Sequence, residues 1–185
     1  SCISNHDNDG FKKIGIPLLN FDGLTVEGNG AEFVFHHIMV PVEVGSCKNI
    51  TLQGLQFMNS PSWNLHPYFS DDLIFADLKI NAPANSPNTD GFDPESCEHI
   101  LLAGAHFSLG DDCIAIKAGK IELGKKYRMP CDEIEIAWCA MLDGHGGVTV
   151  GSEMAGGVIG HQSTFELGEA LAEAILDLAK ARGFA

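Results

Sequence analysis

"CKNITLQGLQF", residues 47–57, and "CEHILLAGAHF", residues 97–107, follow one plan. A polar lead-in precedes an apolar pair two residues apart, a break follows, and a second apolar pair begins. In the first stretch Ile50 and Leu52 fall on one face of an extended chain, Gly54 interrupts, and Leu55 and Phe57 start again. "NFDGLTVEG" (20–28), "SDDLIFADLKI" (70–80) and "CDEIEIAWCAM" (131–141) share the form. Their first inward candidates, Leu24, Ile50, Leu73, Ile100 and Ile134, are separated by about 26, 23, 27 and 34 residues, the range in which solenoid coils recur. Such short strands without helical periodicity between them predict an all-β parallel β-helix. Ile50, Leu73, Ile100 and Ile134 then stack in one inward ladder, with Leu52, Phe75, Leu102 and Ile136 in the next. An antiparallel sandwich is the competing architecture. It is disfavoured because two-residue hairpin signals are few, Asn8–Asp9–Gly10 and Asn29–Gly30 being the clearest.

The chain has 185 residues, 45% of them hydrophobic, enough for one domain with a sizeable core. Its formal net charge of −14 argues against general nucleic-acid binding and leaves no polybasic patch for a membrane. No apolar run reaches the roughly 18 residues of a membrane span, and the opening "SCISNHDNDGFKK" lacks the apolar core of a signal peptide. Six cysteines contain no C-x-x-C pair. That disfavours zinc ribbons and redox motifs, and buried thiols are preferred to a disulfide framework. His36–His37 has no carboxylate or cysteine at ligand spacing and reads as structural.

Chemistry concentrates in "SLGDDCIAIK" (108–117), where Asp111 and Asp112 stand side by side before the alternation Ile114, Ile116. In a regular strand neighbours point to opposite faces, so one carboxylate would enter the core. A bend or bulge at Gly110 would turn both toward a cleft. Asp90, ending "NTD" about one coil earlier, stacks into the same neighbourhood. Crowded carboxylates do not all ionise easily, and a raised pKa on one supplies a proton donor. Asp71–Asp72 reads instead as a solvated turn.

"NSPSWNLHP" (59–67), "NSPNTDGFDPESC" (85–97), "LGDDCIAIKAGK" (109–120) and "DGHGGVTVGSEMAGGV" (143–158) occur in the order and spacing of glycoside hydrolase family 28, the polygalacturonases and related pectin-degrading enzymes. The chain resembles that family from about Asn20 to Val158. The resemblance implies a right-handed parallel β-helix that hydrolyses glycosidic bonds in galacturonate-containing polysaccharide or oligosaccharide, outside the cell or in a periplasm, without metal or organic cofactor. It gives Asp111 the role of general acid and Asp90 and Asp112 the holding and deprotonation of the attacking water. His145 resembles the histidine beside the acid. Asn88, Gly144, Gly146 and Lys117 complete the expected site on the substrate side, Lys117 lying either toward the cleft or on a solvated face.

Two departures stand out. No "RIK" occurs in the chain, although family members carry one whose arginine and lysine grip the substrate carboxylate. The nearby cations are Lys117, Lys120, Lys125, Lys126 and Arg128. Residues 163–182, "STFELGEALAEAILDLAKAR", read as an amphipathic helix with a Ser163/Glu166 capping box, a stripe of Leu167, Leu171, Ile175 and Leu178, and a stop at Gly183. The expected organisation is therefore a β-helix over 1–160 and a C-terminal α-helix over 161–185 as a candidate cap. The alternative to a hydrolase is a truncated β-helix that binds glycans or is inactive.

Overall fold

The computed structural model describes residues 13–34, 39–157 and 165–166. Among them the strands pair in parallel throughout, wound as successive coils around one core. The fold is a parallel β-helix. Ile50 faces Leu73, Leu73 faces Ile100 and Ile100 faces Ile134, while Leu52, Phe75, Leu102 and Ile136 match rung for rung beside them. All eight side chains are buried. This face is built by Asp22–Val34, Lys48–Met58, Asp71–Ala76, Glu98–Ala103 and Ile134–Ala137. The later parts of the two long strands continue into another face with Lys79–Asn81, His106–Ser108 and Ala140–Asp143.

A further face, not read from the repeats, carries the site. It consists of Ile14–Leu19, Val40–Gly45, Leu65–Tyr68, Ile114–Ile116 and Val148–Val150, with isolated bridges at Phe92 and Glu95 filling the gap. Ile16, Val42, Leu65, Phe92, Ile114 and Val148 stack along its inner side. Phe92 and Phe75 meet edge to face across the core, ring centroids 4.9 Å apart.

The chain turns from face to face through single residues in the left-handed region, repeated coil after coil. Ser46, Phe69 and Ser96 hold one corner, with φ of 52°, 45° and 53°. Asn49, Asp72, His99 and Glu133 hold the next, each immediately before the first inward residue of its coil. Gly54, Asp77, Gly104 and Trp138 mark the break between the two apolar pairs. Such a φ costs an ordinary L-residue about 1–2 kcal/mol, which tertiary packing of the ladders outweighs. Asp72 thus belongs to a strand corner, where Lys48 Nζ lies 3.2 Å from its carboxylate. Asn29–Gly30 is not a hairpin but a register shift inside Asp22–Val34.

The α-helix of the described residues is Ile121–Tyr127, between Lys117 and His145. Of the expected helix over 163–182, only Phe165–Glu166 is described, and it forms a strand paired in parallel with Ile136–Ala137. A further rung pairs the edge of the preceding coil there, and Ser163 of the expected capping box lies outside the described residues. The rest of 161–185 lies outside the described residues, as do His36–His37, Asn8–Asp9–Gly10 and Cys2. No helix described is long and apolar enough to cross a membrane.

Candidate active site

Coil stacking gathers the acids. Gly91 N donates to Asp112 O at 3.0 Å and Cys113 N to Gly146 O at 2.8 Å. Hence "TDG", "DDC" and "GHGG" lie on consecutive coils. Asp90, Asp111 and Asp112 each bring a carboxylate oxygen to within 4.8 Å of the others.

Each acid is held differently. Asp111 Oδ2 accepts from Asn88 N at 2.8 Å and Oδ1 from Asp112 N at 3.0 Å. His145 Nδ1 lies 3.4 Å from Asp111 Oδ1, and its backbone N donates to Asp111 O at 2.9 Å. The His145 side chain is 70% exposed, so it reaches Asp111 from the solvent side. Thr149 Oγ1 lies 3.0 Å from both Asp112 Oδ2 and Ile114 O and serves one of them at a time. Asp90 is 5% exposed. Asn64, also buried, fixes its backbone, Nδ2 donating to Thr89 O and Asp90 O at 3.2 and 3.0 Å. Burial pushes the Asp90 pKa up; Lys117 opposes this and the Asp111 charge adds to it. A carboxylate so raised is a stronger base where it remains ionised.

Both glycines beside His145 are needed for contact. A Cβ on Gly144 would meet Asp111 O and Cys113 Sγ at 2.8 Å, and one on Gly146 would meet Thr149 Cγ2 at 2.3 Å and Asp112 Oδ1 at 3.0 Å. Gly110 has a different reason from the expected bend. It is not in the positive-φ region, but its Cβ would lie 2.3 Å from Ser86 O and 2.7 Å from Pro83 O. The loop over 83–86 packs directly on the Gly110 backbone and leaves no room for a side chain.

Lys117 lies neither in open solvent nor on a solvated face. It is 3% exposed, with Nζ 3.1 Å from Glu153 Oε2, 3.5 Å from Asp93 Oδ1, 3.7 Å from Asp90 Oδ2 and 3.2 Å from Gly151 O. The Trp63 ring covers it, 4.3 Å from Nζ to the centroid. Asn64, Asp93 and Glu153 were not singled out from the sequence. Membership of the motif stretches 59–67, 85–97 and 143–158 was the available signal.

An inverting acid and base lie about 6.5–9.5 Å apart or are arranged with equivalent room for a water; here single oxygens of the three acids come within 4.8 Å of one another. An acidic cluster alone does not define a metal centre. The other convergent group, Asp71, Glu98 and His99, is engaged in ion pairs: His99 Nδ1 lies 2.6 Å from Asp71 Oδ1, and Lys48 Nζ 3.1 Å from Asp71 Oδ2.

One face of the parallel β-helix thus presents three carboxylates and a histidine, a set of groups of the kind that glycoside hydrolysis uses. Residues 19–159 match the Glycosyl hydrolases family 28, and the chain belongs to that family. It is 37% identical over 118 residues to a probable polygalacturonase of Vitis vinifera, covering 63% of this chain and 24% of that protein. With an endo-polygalacturonase of Pectobacterium carotovorum subsp. carotovorum it shares 38% over 117 residues, 62% of this chain and 27% of the relative. The crystal structure of a hyperthermoactive exopolygalacturonase from Thermotoga maritima superposes with a TM-score of 0.61 at 33% identity, over 71% of this chain and 30% of that one. The chain thus spans about a quarter of the length of these curated relatives.

Proposed function

We propose that the chain hydrolyses glycosidic bonds in galacturonate-containing, pectic polysaccharide by an inverting acid/base mechanism, outside the cell or in a periplasm. Asp111 donates its proton to the glycosidic oxygen as the C–O bond breaks. Asp90 and Asp112 hold a water, take its proton and direct its oxygen at the anomeric carbon from the opposite side. His145 acts beside Asp111 and helps set its protonation. Asn88 holds the acid through its backbone, and Gly144 and Gly146 let the backbone approach the sugar. The observation that carries this reading is the convergence of the three carboxylates within 4.8 Å with His145 against Asp111. Inversion requires that the water held by Asp90 and Asp112 attack from the face of the sugar opposite Asp111.

A second reading, a β-helix that binds glycan without turnover, is favoured by one observation. The Lys117 ammonium is engaged by Glu153 and Asp93 inside the chain rather than presented to a substrate carboxylate. Release of reducing ends from polygalacturonate separates the readings. Turnover is expected, falling about 10²–10⁴-fold in Asp111→Asn, with proton NMR showing the inverted anomer first. Binding without release in the unsubstituted chain would establish the second reading, and a retained anomer would overturn the assignment of Asp90 and Asp112.

A further inference from the structure

We propose that Lys117 is a positioning residue for Asp90, its ammonium held beneath the cleft by Glu153 and Asp93 so that it fixes the Asp90 carboxylate from the core side. This rests on the reading of Asp90 as part of the water-holding pair.

The cage is built from separate parts of the coil. Lys117 follows Ile114–Ile116, Asp90 and Asp93 come from the coil before, and Glu153 comes from the segment after Val148–Val150. All four residues are at most 6% exposed. Three carboxyl groups therefore face one ammonium with little solvent to screen them. Both Asp93 oxygens are sealed in without a hydrogen bond of good geometry, and their polar neighbours are Asp90 and Lys117. The other charged groups around the cage are Asp111, which adds its field to Asp90, and the buried pair His66–Glu95. Glu95 lies beside Lys117 in the sheet and is 2.8 Å from His66 Nε2.

Charge balance divides the roles. Burial drives the Asp93 pKa well above its ordinary value, Asp90 adds to the shift and Lys117 opposes it. Burial alone would lower the Lys117 pKa, but Asp93, Glu153 and Asp90 together hold it above its ordinary value, so the ammonium is permanent. Lys117 divides its attraction between Glu153 on one side and Asp90 on the other. The Trp63 ring lies 4.3 Å from Nζ, and Nζ donates to Gly151 O at 3.2 Å. On this proposal the effect of Lys117 on the reaction passes through Asp90 rather than through substrate contact.

The experiment follows the Asp90 carboxyl directly, by carbon-13 NMR titration of aspartate-labelled full chain without substrate, alongside kcat and KM on polygalacturonate against pH. Lys117→Met removes the ammonium and should raise the Asp90 midpoint by about one unit or more. The acidic limb of kcat should rise with it, while KM changes less than about twofold. Glu153→Gln frees the ammonium from its outer partner and should move the midpoint downward. If Lys117→Met fails to fold, the downward shift in Glu153→Gln decides. An unmoved Asp90 midpoint in folded Lys117→Met, or in Glu153→Gln, would overturn the proposal. So would a rise in KM at constant kcat in Lys117→Met, since that marks substrate contact. If the unsubstituted chain releases no reducing ends, the hydrolase reading fails while the titration still decides the role of Lys117.

Discussion

The backbone N–H of Asn88 donates to Asp111 Oδ2 at 2.8 Å, across 23 residues of sequence. Asn88 has a φ of 56°, so this donor is aimed by a left-handed residue. Glycine adopts that conformation freely and asparagine tolerates it, whereas a β-branched residue does not. Asn88→Gly should retain cleavage and stability within about 0.5 kcal/mol. Asn88→Val should lose about 1–2 kcal/mol in urea denaturation and lose activity as the donor swings away. Equal activity in the two variants would show that the hydrogen bond does not matter.

Gly110 precedes the paired acids and has no space for a side chain, with Ser86 O 2.3 Å from its notional Cβ. Gly110→Ala must push the 83–86 loop or the Asp111 backbone outward. A loss of about 1–3 kcal/mol is expected, with kcat falling more than the stability loss explains, because Asp111 moves with its neighbour. Thermal unfolding and kinetics on the same sample test this. An unchanged melting temperature would mean that the loop yields freely.

Much of this was legible in the sequence because a solenoid repeats its instructions. Ile50, Leu73, Ile100 and Ile134 announce their ladder at a coil-length spacing, and the meeting of Asp90 with Asp111 and Asp112 follows from stacking alone. The face that carries the site was less visible. Leu65–Tyr68 is too short to stand out as a period-two run, Ile114–Ile116 offers a single alternation, and Phe92 contributes only isolated bridges. The burial of Lys117 was hard to read for a related reason. Its outward position on a strand reads as solvated unless Trp63 and Glu153, from distant segments, are known to fold over it.

Asp77 occupies the corner where the neighbouring coils have Gly54 and Gly104, with a φ of 49° against their 64° and 65°. Its side chain is exposed, so little packing is lost by removing it. Asp77→Gly relieves the left-handed backbone at the cost of a more flexible unfolded chain. Stabilisation of up to about 1 kcal/mol in chemical denaturation is expected. Marked destabilisation would show that the carboxylate makes a contact worth more than the strain.

Cys47, Cys97, Cys113, Cys131 and Cys139 are free and buried. Burial pushes the Cys113 and Cys139 thiols up to about 11 and Cys131 up to about 12, and drives Cys97 well above its ordinary value. At neutral pH the thiolate fraction at these four is about a thousandth or less. A chromogenic disulfide reagent should therefore label them slowly in the folded chain and rapidly in denaturant. Fast labelling of Cys113 in the folded state would mean that the coil beside Gly144 opens readily.

His99 joins three coils, with Nδ1 2.6 Å from Asp71 and Nε2 3.0 Å from Glu133. The Asp71 hydrogen bond, opposed by burial and supported by the charges of Asp71, Glu133 and Asp72, raises the His99 pKa above 6.5. For Asp71, burial acts upward but His99 and Lys48 outweigh it, and the pKa falls below 3.8. A raised histidine contributes stability fully below its unfolded value, and that contribution is lost as pH rises through its folded value. A lowered aspartate contributes above its unfolded value, and that is lost as pH falls through its folded one. Both act together between about pH 4 and 6.5. His99→Asn should therefore cost most near pH 5.5 and progressively less toward pH 9. The His99 side chain is 42% exposed, so solvent screening limits the cost to at most about 1 kcal/mol, shrinking further in added salt. Urea denaturation of both proteins at the two pH values measures the difference, and a deficit that grows with pH would reverse the assignment of charge to His99.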